Sequence, residues 1–371
     1  MPTQIGFKEI FASIGSPSIK LVKSMDLALG TLMAALVPER RRGRLPDKIQ
    51  NILIIRPGGI GDAVFLIPFI KILRREYSSL TIDILGERRN SAVFSLEDNL
   101  VQNIYHYDSW KAWPAIFKKK YDVVIETEQW HYLSALVAYF LNPKYSIGFA
   151  TRPLRSKLFD LKIPYDLNAY EMNSFYDLFK PLLHKDTKAP EVNHCLKLSD
   201  DTLSWAESKI QKNTVALFIG ASIPLRRLSH EQCLEIIQPY LKKNFNVILL
   251  GGRDVVAVAE RLTQEVKDQR LINFVGKTTL QESAALIQKS QRFIGTDSGL
   301  MHVACAVGTP TVGIFGPGNL GKWGLQGNQH QIISDRVSCS PCTHFGYTVP
   351  TCGGSYHCMR ELKLDLSLKD R

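Results

Sequence analysis

The sequence predicts an α/β protein built as two similar halves in succession, and three observations lead there. Short β-rich runs alternate with stretches of helical periodicity, and twenty or more residues separate one run from the next, as parallel βαβ units require. The alternation also starts afresh near residue 213. A chain of 371 residues, 45% hydrophobic and 22% charged, is long enough for two such cores.

The first fifty residues stand apart. They hold eight Lys/Arg against four Asp/Glu, a net of +4 within a chain of formal charge +11. Between the basic groups runs "LVKSMDLALGTLMAALVP", interrupted only by Lys23, Ser24, Asp26, Gly30 and Thr31, and followed by "ERRRGR". This leader, residues 1–48, reads as an interfacial helix whose apolar face enters the headgroup layer while its arginines meet anionic lipid. A helix packed on the protein body is the alternative. No apolar run reaches the roughly 18 residues of a membrane span, and the opening lacks the features of a signal peptide, so the cytosol is the expected location.

The first half then follows with "NILIIR", "LTIDILG", "YDVVIETE" and "YSIGFA" as its strands. Residues 151–212 carry scattered prolines and weak periodicity, so the interdomain junction is expected there. The second half runs through "TVALFIG", "NVILLGG", "RFIGTDSG", "TPTVGIFGP" and "HQIISD", with helical segments such as "LQESAALIQKS" between. The expected layout is a leader at 1–48, domains at 49–190 and 191–335, and a cysteine-rich tail at 336–371.

Two glycine-rich turns carry the chemistry. In "RPGGIGD", a strand runs through Gly58, Gly59 and Gly61 into a helix that the pattern predicts Asp62 to cap. A Walker A loop needs Gly-Lys-Ser/Thr, which is absent, and the dinucleotide pattern meets Val64 in its third glycine position. The residues alone leave Asp62 as cap or as catalytic carboxylate. In the second turn, Thr296, Asp297, Ser298 and Gly299 lie where a helix begins, so amides and hydroxyls there suit a pyrophosphate with the helix dipole behind them. His302 follows one turn later, and a capped helix with a packed His302 is the alternative.

Together "ILIIRPGGIGDAVFLIPF", "FVGKTTLQESAALIQKS" and "TDSGLMHVACAVGTPTVGIFGP" resemble the family 9 glycosyltransferases, the ADP-heptose:lipopolysaccharide heptosyltransferases, over roughly residues 50–335. That resemblance implies a GT-B fold, two Rossmann-like domains facing each other across a cleft, with acceptor on the first and nucleotide-sugar on the second. It implies an inverting transfer in which Asp62 acts as general base, the Gly58, Gly59 and Gly61 loop leaves room for acceptor, and Thr296, Asp297, Ser298, Gly299 and His302 hold the diphosphate. "FIGASIPLRRLSHEQC" matches the first donor-domain strand and its basic loop, which brings Ser222 and Arg226 to the donor. Arg226 takes a position commonly lysine and Leu228 one commonly tryptophan; arginine keeps the cation and adds a planar fork. The implied partners are an ADP-heptose donor, a lipid-linked glycan acceptor and an anionic membrane surface, with no nucleic acid and no catalytic metal. Rival readings are a noncatalytic glycan- or partner-binding protein and a nicotinamide-dependent oxidoreductase.

The tail places Cys339, Cys342, Cys352 and Cys358 as C-x2-C-x9-C-x5-C, four of the chain's seven cysteines. Thiolates at this spacing can surround a structural zinc or iron ion, with disulfides or free thiols as the alternatives. Cys195, Cys233 and Cys305 sit in apolar surroundings and are expected as buried filler.

Overall fold

A computed structural model describes residues 25–40, 43–221, 223–335, 337–344, 347–348, 352 and 356–364, and the chain forms two compact units that part between Glu191 and Val192. The described part of the N-terminal unit begins with a π turn, Asp26–Gly30, that runs into α1, Thr31–Leu36. Strands β1 (Asn51–Arg56), β2 (Thr81–Gly86), β3 (Asn103–His106), β4 (Val123–Glu126), β5 (Tyr145–Ala150) and β6 (Leu161–Pro164) form one parallel sheet ordered β3-β2-β1-β4-β5-β6. Helices α2 (Ile60–Glu76), α3 (Arg88–Ser91), α4 (Ala112–Lys118), α5 (Tyr132–Phe140), α6 (Pro153–Ser156) and α7 (Glu171–Phe179) connect or cover the strands. Ile52, Leu53, Ile54 and Ile55 of β1 are fully buried, as expected of a central parallel strand covered on both faces.

Two layers close over this sheet. Helix α2 buries every residue from Ala63 to Ile70, with Phe69 stacked on Phe179 of α7 at 4.9 Å between ring centroids. Helices α1, α4 and α5 share one hydrophobic cluster with the strands, through Ala34, Ala112, Ile116, Ala135, Leu136 and Ala138. The π turn is held by Asp26, whose carboxylate accepts from the backbone amides of Tyr132 and Leu133 at the start of α5, and Gly30 lies where a Cβ would stand 2.6 Å from that of Tyr132. The described end of the leader is therefore tied to the N-terminal unit by a buried carboxylate and a close backbone approach.

In the C-terminal unit, α8 (Asp200–Lys209), β7 (Thr214–Phe218), α9 (His230–Lys242), β8 (Asn246–Leu250), α10 (Val256–Val266), β9 (Leu271–Asn273), α11 (Leu280–Gln288), β10 (Arg292–Thr296), α12 (Gly299–Ala306), β11 (Thr311–Phe315), α13 (Leu320–Trp323) and β12 (Gln331–Ser334) follow in order. The sheet reads β9-β8-β7-β10-β11-β12, the same doubly wound order as the first. Full capping boxes start two of its helices: Ser229 with Gln232 at α9, Thr279 with Glu282 at α11. A short helix α14, His357–Arg360, holds the last of the four clustered cysteines, and Cys358, Met359, Leu362 and Leu364 join the hydrophobic cluster of this unit. No helix among the described residues is long and apolar enough to cross a membrane.

Residues 151–212, where weak periodicity led the interdomain junction to be expected, contain α6, β6, α7 and α8. The missed strands β3, β6 and β9 are all sheet edges of three or four residues without a continuous buried run, so they lack the apolar stretch that marks a central strand.

Candidate active site

In a doubly wound sheet, the loops that diverge at the reversal of strand order leave a crevice for ligand. In the N-terminal unit that reversal lies between β1 and β4, and a carboxylate follows each strand, Asp62 in the first turn of α2 and Glu128 after β4. The N-cap of α2 is Gly59, not Asp62, which corrects the capping expectation. Asp62 lies in the first helical turn, and its Oδ2 accepts from Arg56 Nη2 at 3.1 Å. Gly59 at the N-cap offers no side chain of its own to cap α2.

Arg56, the last residue of β1, is 2% exposed. Its Nη1 donates to Thr127 O at 2.7 Å, and its Nη2 also lies 3.5 Å from Glu128 Oε2. Burial disfavours the Arg56 cation, but Asp62, Glu128, Glu171 and Glu126 outweigh it and hold its pKa above the ordinary value. Glu128, from the β4 loop, was not found by sequence reasoning; a carboxylate 66 residues from Asp62 gives no local signal, and only the adjacency of β1 and β4 brings them to one guanidinium. The glycines fit around this group. Gly58 has φ +100°, and a Cβ there would stand 3.2 Å from Arg56 Nη2; one at Gly59 would stand 3.4 Å from Asp62 Oδ2. Gly61 lies inside the first turn of α2.

Behind these residues the charges are sealed. Arg155, fully buried, pairs with Glu126 and donates from Nη1 to Phe149 O at 2.7 Å. Burial pushes the Glu126 carboxyl up to about 7 against the pull of Arg155. Glu171 accepts from Gln129 at 2.6 Å and from the Tyr165 hydroxyl at 2.8 Å. Side-chain exposure is 22% for Asp62, 9% for Glu128 and 0% for Glu126, so Asp62 is the most accessible of these three carboxylates. Beside them the Arg152 guanidinium lies 3.4 Å over the Trp130 ring.

In the C-terminal unit the reversal lies between β7 and β10, and the second glycine turn follows β10. Arg226, 9% exposed, comes from the loop after β7 and donates from Nη1 to Asp297 O at 3.1 Å. The same nitrogen lies 2.8 Å from Asp297 Oδ2, off the angle of a hydrogen bond, so this contact is an ion pair. Burial raises the Asp297 carboxyl, and Arg226 offsets part of that rise. Ser298 is the N-cap of α12 but makes no side-chain cap; its hydroxyl, the Thr296 hydroxyl and Arg226 Nε are buried polar atoms without a hydrogen-bond partner. Such atoms at a helix N-terminus are donors prepared for an anion. Burial, with Arg226 beside it, holds His302 down to about 4, so the imidazole is neutral at ordinary pH. Gly318 closes against this group: a Cβ there would stand 2.0 Å from Asp297 Oδ2. Leu228 is buried, Arg227 pairs with Asp254, and Ser222 lies outside the described residues.

The tail borders the same strand ends. The amides of Cys342 and Thr343 donate to Pro317 O at 3.1 and 3.0 Å, and Ser340 Oγ donates to Gly316 O at 2.7 Å. Burial, followed by the charges of Cys342, Cys339 and Cys352, pushes the Cys358 thiol up to about 11. Among the described residues no three His, Cys, Asp or Glu side chains are arranged to hold a metal ion, so the four thiols as placed do not form a closed site. Cys233 and Cys305 are buried, with burial raising each thiol to about 12, and Cys195 is partly exposed.

A family model described as glycosyltransferase family 9 (heptosyltransferase) matches residues 109–350. The chain is 24% identical to lipopolysaccharide heptosyltransferase 2 of Salmonella typhimurium, over 72% of this chain and 83% of that one. Its fold is similar to that of the Escherichia coli ADP-heptose lps heptosyltransferase II, with TM-score 0.66 and 20% identity over 77% of this chain and 91% of the other. It is also similar to a family 9 glycosyl transferase from Veillonella parvula, with TM-score 0.68 and 16% identity over 78% and 88% of the two chains.

Proposed function

The chain belongs to glycosyltransferase family 9, the heptosyltransferases, and with that as premise we propose that it transfers heptose from an ADP-linked donor to a lipid-linked glycan with inversion at the anomeric carbon. Salmonella and E. coli relatives named for lipopolysaccharide and for ADP-heptose support the donor and the acceptor class. The observation that carries the assignment of roles is the difference between the two switch points. One holds an accessible carboxylate on a buried arginine; the other holds a helix N-terminus, unpartnered hydroxyls and a cation. The first suits proton removal and the second suits a diphosphate.

In the reaction, an acceptor hydroxyl gives its proton to Asp62 as its oxygen bonds the anomeric carbon. The bond from that carbon to the diphosphate oxygen breaks, and ADP leaves with the electron pair. Arg226, the amides at the start of α12 and the hydroxyls of Thr296 and Ser298 take up the developing charge. Neutral His302 donates a hydrogen bond to the diphosphate rather than a charge. Ser222 and Gly299 complete the donor loop, while Gly58, Gly59 and Gly61 let acceptor approach the backbone. No divalent ion takes part in this scheme.

Asp62→Asn tests it. The variant is expected to bind ADP as wild type does while kcat falls by roughly a thousandfold or more, the loss of a general base that is also the charged partner of Arg56. Transfer at a wild-type rate by the variant would remove Asp62 from the role.

The cysteine tail is proposed to bind one structural zinc or iron ion through Cys339, Cys342, Cys352 and Cys358. Sequence spacing supports it, and the thiols must draw together to form the site. Elemental analysis of anaerobically purified protein that finds neither metal would remove the proposal. A lipid-linked acceptor also implies work at the inner face of the cytoplasmic membrane, where the basic leader would meet anionic lipid.

A further inference from the structure

The exposed apolar side chains of this protein are not scattered. Of the twelve large hydrophobic residues exposed among the described residues, nine belong to one layer of the N-terminal unit: Met25, Leu29, Leu32, Met33 and Leu36 on and before α1, Leu133 and Phe140 on α5, and Trp110 and Phe117 at α4. Three are more than half exposed, Leu32 at 57%, Leu36 at 76% and Trp110 at 76%. The inner faces of α1, α4 and α5 share one hydrophobic cluster, so their outer faces lie on the same side of the sheet. Single exposed apolar residues need no explanation, whereas a concentration on one face does.

The charge of this layer is mixed with a positive excess: Glu39, Asp47 and Asp108 are exposed, each beside a lysine or arginine. The sequence holds a net +3 in residues 107–120 and +1 in residues 129–145. Lys111, Lys118 and Lys120 are exposed beside Trp110 and Phe117, and Lys111 Nζ lies 5.6 Å from the Trp110 ring centroid. Arg44 is 92% exposed just beyond α1. Asp26, before α1, is buried against α5 and gives the surface no negative charge, while Glu39, after α1, is exposed and paired with Lys162. Leucine, phenylalanine and tryptophan ringed by lysine and arginine match a headgroup layer: the apolar groups leave water, and the cations meet lipid phosphate.

We propose that this layer, formed by α1, α4 and α5 together, is the face on which the protein sits on an anionic lipid bilayer. The leader does not act alone; Asp26 and Gly30 fix its end to the body, so the membrane contact has a defined orientation instead of a free tether. The inference rests on the reading that the acceptor is lipid-linked, and its test separates the two.

Full-length protein is floated with vesicles of phosphatidylethanolamine and phosphatidylglycerol, and with vesicles of phosphatidylcholine alone. Wild type is expected to float with the anionic vesicles, and Leu32→Ser with Leu36→Ser, or Phe140→Ser, to lose about tenfold or more of that binding, since each removes an inserted apolar group. Because these side chains are exposed, thermal melts of the variants should match wild type. Equal flotation of variants and wild type, or no flotation of wild type, overturns the proposal. Sedimentation showing a wild-type dimer and variant monomers overturns it in favour of a second copy on this face. Carbene footprinting that leaves Leu32, Leu36 and Phe140 unlabelled in the monomer without vesicles overturns it in favour of residues 1–24 as the cover. Transfer to a delipidated acceptor glycan is measured alongside and should survive in the variants. Vesicle binding through this face by a protein that transfers nothing leaves this proposal standing and overturns the lipid-linked acceptor.

Discussion

At the residue scale, Arg56 decides how Asp62 behaves. Its guanidinium is buried and holds two carboxylates from different loops, so Arg56→Met leaves both unbalanced and should cost about 3 kcal/mol of stability. Loss of the cation also disfavours an ionised base, so the acidic limb of kcat/KM should move to higher pH, with partial return in Arg56→Lys. An unmoved limb in the methionine variant would separate Arg56 from the base. Two other buried groups set opposite pH dependences. Glu126 is raised in the folded state to about 7, so its contribution to stability is complete below its ordinary value near 4.5 and is lost as pH rises through 7. His302 is depressed to about 4, so its contribution is present above 6.5 and is lost as pH falls through 4. Urea midpoints measured from pH 4 to 8 should show Glu126→Gln lacking the gain on acidification and His302→Gln lacking part of the acid loss.

At the element scale, the two turns depend on glycine for different reasons. Gly58 adopts a positive φ and passes Arg56 closely, so Gly58→Ala strains the backbone by about 1–2 kcal/mol and disturbs the base. Gly318 instead leaves space for Asp297 beside Arg226. Gly58→Ala is therefore expected to lower kcat with ADP affinity kept, and Gly318→Ala to weaken ADP. Calorimetric titration with ADP and initial rates on the same preparations check this; parallel losses in both variants would mean that the turns do not divide the work.

At the scale of the molecule, two doubly wound sheets of identical strand order carry unlike side chains at equivalent points. Family membership and the shared order make the fold that of the heptosyltransferases, while function resides in the loops. If the diphosphate binds at α12, hydrogen exchange with saturating ADP should protect amides around residues 294–302, and Asp62→Asn should give the same pattern. Protection centred on residues 56–62 would reverse the assignment of the donor to the C-terminal unit.

The sequence by itself determined the α/β class, the central strands, the two glycine turns and the family. Each is written in short contiguous patterns: β-branched runs, glycine where backbone must turn, and motifs in order. It also identified Asp62 and the Thr296 to His302 segment as the places of interest. Tertiary structure alone decided what those residues touch. Three of the four edge strands escaped notice because short, half-buried runs carry a weak signal, and the start of α2 was placed at Asp62 instead of Gly59 because three glycines in four residues leave the first turn without a side-chain pattern. Glu128 joins Asp62 only because β4 lies beside β1, and Arg226 meets Asp297 only because β10 lies beside β7. The apolar face is of the same kind: the leader's leucines are local, but their alignment with Leu133, Phe140, Trp110 and Phe117 comes from three helices sharing one core.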